Sequence, residues 1–214
     1  MNILHVCANP KPTEESASKQ MAARFFGKLM ELNPDVELNN VDLYQEKPPY
    51  YSNDLFRRMW NPVFDPAYEP SKAEDAAANY VTKQTALFNA ADVLVLTTPM
   101  WNFSAPAVMK AWIDQVLAPG YTFEFSDEGP KPLHKIKTLV LLAASGGIYK
   151  EGDERDALSS QITAAFGFVG IDDVRIAWAD GQNPLFTSDS EIRREMAFEA
   201  AEELAEELAE ESAE

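Results

Sequence analysis

Short apolar runs alternate with longer amphipathic stretches along this chain. Residues 2–7 (NILHVC) form a brief, mostly apolar run that predicts a buried strand. Residues 16–32 follow with Met21, Phe25, Leu29 and Leu32 at spacings of four and three, the period of a helix face, and Ser16 or Ser18 suits its cap. Residues 36–43 alternate as a second strand. Residues 72–89 read as a helix, and 91–98 (ADVLVLTT) as the clearest buried strand. Residues 106–117 predict a helix with proline in its first turn, and 121–125 a short strand or arm. Residues 136–144 (IKTLVLLAA) are another buried strand, ended by Ser145-Gly146-Gly147. A helix over 156–168 closes at Gly170, a fifth strand covers 173–178, and a last helix covers 191–210 with Ile192, Met196, Leu204 and Leu208 near its apolar side.

Five strands that alternate with helices predict an α/β fold with a five-stranded parallel sheet and helices on both faces, because every parallel connection needs a crossover. No linker or composition break divides residues 1–214, so one domain is expected. Within it, residues 45–71 form an aromatic insert, rich in Pro, Tyr, Phe and Trp, with one or two helical turns over 53–60. Residues 188–214 form an acidic C-terminal helix.

Charge and cysteine content narrow the function classes. The net charge is −17, and residues 191–214 hold ten Glu against two Arg. Such a surface repels nucleic acid and anionic lipid, so neither is an expected partner. The single cysteine, Cys7, forms no intrachain disulfide, which fits a reducing compartment. The opening MNILHVCANP lacks the basic start and long apolar run of a signal peptide. No window reaches the roughly 18 apolar residues of a membrane span. A cytoplasmic location is expected.

In an open α/β sheet, ligands bind beyond the carboxyl ends of the strands, which directs attention to the loops after strands one, three and four. The first, residues 8–18 (ANPKPTEESAS), enters a helix through Ser16-Ala17-Ser18. A phosphate there meets free N–H groups, the positive end of the helix dipole and small hydroxyls. It carries neither a nucleotide-triphosphate loop nor GxGxxG. The second, Pro99-Met100-Trp101-Asn102-Phe103, offers flat apolar faces beside an amide, as a planar heteroaromatic ring requires. The third, Ser145-Gly146-Gly147, lets backbone N–H groups approach a ligand. Each also has a purely architectural reading: helix caps, a packed loop with Trp101 in the core, and a tight turn. Their coincidence at one sheet edge favours a ligand. Cys7 reads as a small core residue, and His5 as part of a strand. With His134 as the only other histidine, no metal site or Ser-His-Asp triad is expected.

The blocks PMWNFSAPAVMKAWIDQVLAPGYTFEF, LLAASGGIYKEG and FGFVGIDDV occur in order. With them the chain resembles the FMN-dependent NADH-azoreductases and related NAD(P)H:quinone reductases. The likeness runs from the first strand to about Gly181 and is strongest from Pro99 to Gly170. It implies a flavodoxin-like fold, non-covalent FMN, a homodimer, and a ping-pong passage of hydride from NADH or NADPH to a quinone or azo compound. By motif, Asn9, Ser16, Ala17 and Ser18 would hold the FMN phosphate, and Pro99, Met100, Trp101, Asn102 and Phe103 would line the ring. Ser145, Gly146 and Gly147 would meet its pyrimidine edge, and Phe125 and Phe168 would border the substrate, one set coming from the partner subunit. No residue is assigned as acid or base, since the cofactor carries the hydride. The chain departs from the family at Ala17, often Gln, at Ser145, often Arg, and at Trp101, commonly Tyr. The absence of a basic cluster for a 2′-phosphate leans to NADH. The competing readings are a flavodoxin-type electron carrier without its own turnover and a flavin-free interaction protein.

Overall fold

A computed structural model describes residues 1–150 and 152–212. Its centre is a five-stranded parallel sheet of β1 (Asn2–Cys7), β2 (Glu37–Asp42), β3 (Val93–Pro99), β6 (Thr138–Ala144) and β7 (Asp173–Ala179), in the order β2-β1-β3-β6-β7. The chain steps outward from β1 to β2 and then returns past β1 to β3. The direction of winding therefore reverses between β1 and β3, and a crevice opens at their carboxyl ends.

Period-two alternation assigns the side chains to two layers. Ile3, Val93, Val95, Val140 and Leu142 face α1 (Ala17–Leu32) and α7 (Ser190–Glu211), packing against Met21, Phe25 and Leu29. Leu4, Leu94, Leu96, Leu139 and Leu141 face the opposite layer. That layer is built from α4 (Asn79–Ala90), α5 (Ala107–Val116) and α6 (Ala157–Gly167), with Phe88, Trp112 and Phe166 at its centre. Both faces of β3 and β6 are covered, which is why those two strands read as unbroken apolar runs.

Several expectations are corrected. The stretch 72–89 is two helices, α3 (Lys72–Ala77), whose start carries a Ser71–Glu74 capping box, and α4, with the break at Ala78 (φ −85°, ψ 0°). The aromatic insert contains a longer helix than two turns: α2 (Asn53–Phe64) has twelve residues, seats Leu55 and Met59 against Ala78, Val81 and Ala118, and is tied to α3 by Arg57–Glu74 at 2.7 Å and Arg58–Asp75 at 2.9 Å. The arm at 121–125 is half of an antiparallel hairpin of β4 (Phe123–Ser126) and β5 (Gly129–Pro132). Pro106 caps α5 instead of lying in its first turn. Leu32 is exposed.

The apolar side of α7 is the expected one only in its second half, where Leu208 is buried and Leu204 packs against the core. Ile192 and Met196 are 65% and 62% exposed, while Ala197, Phe198, Ala201, Ala205 and Leu208 are buried. Alanines at four-residue spacing let α7 approach the sheet and α1 closely, and Arg24 and Lys28 of α1 reach across to Glu195, Glu202 and Glu206. Three of the ten terminal glutamates are thus paired across to α1. Residues 213–214 of the expected 188–214 helix lie outside the described residues.

Candidate functional site

The loop after β1 runs through a short 3-10 turn, Thr13–Glu15, into the cap of α1. Asn9 is the hub of this turn. Its amide Nδ2 donates to Ser16 Oγ at 2.7 Å and to Ser18 Oγ at 3.1 Å, and all three side chains are buried. Ser16 Oγ also accepts from the Lys19 N–H, the usual N-cap bond. The two hydroxyls also lie 3.3 Å apart, so one can donate to the other while the second hydroxyl hydrogen is left to be donated outward. The N–H groups of Ala17 and Ser18 have no acceptor among the described residues, as the first turn of a helix dictates. The result is a compact set of donors with the helix dipole behind it.

The loop after β3 is held by two backbone bonds between Trp101 and Ser104, at 2.9 and 3.1 Å. Asn102 and Phe103, between them, take φ of +48° and +70°, a left-handed conformation that asparagine tolerates and phenylalanine seldom adopts. The turn projects Trp101 and Phe103 to the surface, so Trp101 is not a core residue. Met100 stays buried and hydrogen-bonds the Ala144 carbonyl at 2.7 Å, joining this loop to the end of β6.

Ser145, Gly146 and Gly147 are laced to a segment that sequence reasoning missed, the turn after β7. Gln182 N–H donates to Ser145 O, Asn183 N–H to Gly146 O and Gly181 N–H to Gly147 O. The Gly146 and Gly147 N–H groups have no acceptor among the described residues and remain available as donors. A Cβ on Gly146 would press on Asn183 Cβ at 3.3 Å, and one on Gly147 would meet the Tyr149 ring at 3.4 Å. The glycines thus admit neighbouring parts of the protein.

These loops enclose a cavity of about 520 Å³. Among its lining residues are Asn9, Ser16, Ala17, Ser18, Pro99, Met100, Trp101, Ser145 and Gly146, nine of the twelve cofactor candidates. Asn102, Phe103 and Gly147 lie beside it without lining it. Lys11, Gln20, Gln182, Asn183, Pro184 and Arg194 also line it. The Gly181–Pro184 turn carries the ordinary signals of a strand-ending loop, and the carboxyl-edge rule applied to the fifth strand would have found it. Nothing in the sequence marks Arg194, on the first turns of α7.

Phe125 and Phe168 lie outside this cavity, each edge-to-face on Phe123 at 5.4 Å and about half exposed. They belong to an aromatic surface that continues through Trp60, 6.2 Å from Phe125, to Phe56 and Phe64. Phe168 and Trp60 line a separate groove of about 720 Å³.

His5 is held neutral, its pKa pushed down to about 4 chiefly by burial. Its Nδ1 lies 2.8 Å from Asn40 Oδ1 and its Nε2 2.8 Å from Thr97 Oγ1, which makes it a strand-bridging group. Burial pushes the Cys7 thiol up, away from a thiolate. No cluster of three His, Cys, Asp or Glu suited to a metal occurs among the described residues. No helix among them is long and apolar enough to cross a membrane.

The strand order, the crevice and the donor-rich helix terminus define a flavodoxin-like protein, and the family described as flavodoxin-like fold matches residues 1–206. The FMN-dependent NADH:quinone oxidoreductase of Brevibacillus brevis is 33% identical, covering 89% of this chain and 91% of its own length. The oxidoreductase of the same description from Azotobacter vinelandii is 38% identical, covering 79% and 83%. The crystal structure of an azoreductase from Bacillus anthracis superposes with a TM-score of 0.86 at 29% identity, covering 95% of this chain and 98% of that one. The chain belongs to the FMN-dependent NADH:quinone oxidoreductase family within that fold.

Proposed function

We propose that this protein is a cytoplasmic, single-domain, homodimeric FMN-dependent NAD(P)H:quinone oxidoreductase that also reduces azo compounds. The observation that carries the reading is the meeting of three strand-end loops around one cavity. A phosphate cradle lies at the start of α1, and a flat apolar wall follows β3. Backbone N–H donors follow β6.

The residues present fit FMN. At the α1 end the free Ala17 and Ser18 N–H groups and the Ser16 and Ser18 hydroxyls form a donor set suited to a phosphate monoester, with no carboxylate inside the Asn9–Ser16–Ser18 cluster. Beyond it, Pro99, Met100 and Trp101 provide the apolar face a planar ring requires. A cavity of about 520 Å³ is within the usual size for a cofactor.

The chemistry that bound FMN supplies is hydride transfer between a reduced nicotinamide and a quinone or azo acceptor. The protein's part is placement. Asn9 orients the two serine hydroxyls toward the phosphate. The Met100–Trp101 backbone, pinned to Ala144, sets one face of the ring site. The free Gly146 N–H on the cavity wall, with Gly147 N–H beside it, would hold the pyrimidine edge, where preorganised dipoles favour negative charge. Donor and acceptor would use the same site in turn, a ping-pong order, with solvent supplying protons. Phe125 and Phe168, on the exposed aromatic surface, become substrate walls when a second copy covers that surface. An apolar patch of this kind is what a subunit interface covers. The lone Cys7 and the need for reduced nicotinamide support the cytoplasm as location.

The test is an absorption spectrum of the purified protein followed by anaerobic titration with NADH and then NADPH. A flavin band that one equivalent of NADH bleaches, with steady turnover of a soluble quinone, supports the reading. A colourless protein that takes up no added FMN would sink it, and bleaching without turnover would indicate an electron carrier.

A further inference from the structure

Of the seven arginines, Arg24, Arg57, Arg58, Arg155, Arg175 and Arg193 each hold a carboxylate partner. Arg194 has none among the described residues, although the chain has 35 acidic side chains against 18 basic ones. In so acidic a protein, an arginine without an acid partner needs an explanation. Arg194 is half-buried and lines the cavity that the α1 cradle opens into.

It is also held in place. Its Nε donates to Gln182 Oε1 at 2.8 Å. Gln182 in turn is fixed on three sides: its amide Nε2 donates to Asp180 O at 2.9 Å and Ser190 O at 3.0 Å, and its backbone N–H donates to Ser145 O. One edge of the guanidinium is thereby anchored, while its terminal nitrogens have no partner among the described residues. A guanidinium presented in this way suits a phosphate dianion, which it can grip with two parallel bonds. Glu14 and Glu15 line the same cavity, and their charge opposes an anion. A fixed cation offsets that repulsion.

We infer that Arg194, positioned by Gln182, is the cationic clamp on the cofactor's phosphate, a role that complements the neutral donors of Asn9, Ser16 and Ser18. This rests on the FMN reading above. The neutral cradle recognises the phosphate's shape, and Arg194 supplies the opposite charge that no neutral donor can. Lys11, the only other basic side chain lining the cavity among the described residues, lacks the planar fork.

The test compares FMN with riboflavin, which has the same ring without the phosphate. Both are titrated into cofactor-free protein by flavin fluorescence, at low and high salt. The variants are Arg194→Gln, Arg194→Lys and Gln182→Ala. Arg194→Gln is expected to weaken FMN by about 10- to 100-fold, the size of a charge-assisted hydrogen bond, while riboflavin changes little. Arg194→Lys should recover part of the loss. Gln182→Ala should lose less than Arg194→Gln, and the salt dependence of FMN binding should flatten in Arg194→Gln. Equal weakening of FMN and riboflavin, or none for either, would overturn the clamp while leaving the cofactor assignment intact. Failure of the unmodified protein to bind FMN would overturn both.

Discussion

Trp178 Nε1 donates to Ser145 Oγ at 2.8 Å, and Ser145 Oγ donates on to the Gly147 carbonyl at 2.8 Å. One buried hydroxyl therefore ties the end of β7 to the glycine turn after β6. Ser145 lines the cavity, and its hydroxyl is committed to holding the loop beside the free N–H of Gly146. Ser145→Ala is expected to strand the indole N–H and cost about 1–3 kcal/mol. Urea unfolding of the cofactor-free protein measures this. Unchanged stability would mean that the bond contributes nothing.

Asn9→Asp keeps the shape of the side chain and changes its chemistry. Both amide donors are lost, the Ser16 and Ser18 hydroxyls turn inward to donate to the new carboxylate, and a negative charge is placed against the phosphate. FMN affinity is expected to drop by roughly 100-fold or more, since opposed like charges cost several kcal/mol. Riboflavin should be less affected. Equal FMN affinity in the variant would remove Asn9 from the cradle.

Gly181 sits at φ +60°, and a Cβ there would lie 2.9 Å from Arg193 Cδ and 3.1 Å from both Ile148 Cγ1 and Thr187 Cγ2. Its N–H also donates to Gly147 O at 2.9 Å. Gly181→Ala combines strained backbone with crowding, and a loss of about 1–3 kcal/mol is expected. Thermal melting checks the stability, and flavin retention should decline with it, because this bond couples the two loops.

The pH dependence of stability follows from His5. Its folded pKa is pushed down to about 4 by burial, against an ordinary 6.5 in the unfolded chain. Between those values the unfolded state binds a proton that the folded state refuses. Stability is therefore complete above pH 6.5 and declines as the pH falls toward 4. His134, also depressed by burial, acts in the same direction. The His5→Gln variant should show a shallower decline across this window in denaturant midpoints, with the His134 share remaining. A slope equal to that of the unmodified protein would exclude His5 as its source.

The aromatic surface makes an oligomer prediction. Phe64 is 77% exposed and stacks on Trp60, which leads on to Phe125. Phe64→Glu places a charge in that apolar patch. Light scattering across a dilution series should show a concentration-dependent shift toward monomer, with cofactor-free stability little changed because the site is exposed. A monomeric parent protein, or a variant as dimeric as its parent, would refute the role of this surface.

The parallel sheet was legible because buried strands such as 93–99 and 138–144 announce themselves as unbroken apolar runs, and the helices between them require crossovers. The breaks inside the insert were harder to read: Ser71 and Glu74 resemble any polar pair until their reciprocal bonds separate α3 from the preceding chain. For α7, Ile192 and Met196 looked like the buried stripe by hydrophobicity, whereas packing selected alanines that let the helix come close.

Local chemistry along the chain was enough to place donors after β1, an aromatic turn after β3 and glycines after β6. Each is a property of residues adjacent in sequence, set by backbone preference and side-chain type. Folding decided what those loops share. Strand order carried the β7 turn and the first turns of α7 to the same rim, so that Gln182 and Arg194 join Asn9 and Ser16, far from them in sequence, around one cavity. Proximity between distant segments depends on the sheet's winding and on how closely helices pack, and neither quantity is written in any single stretch of the chain.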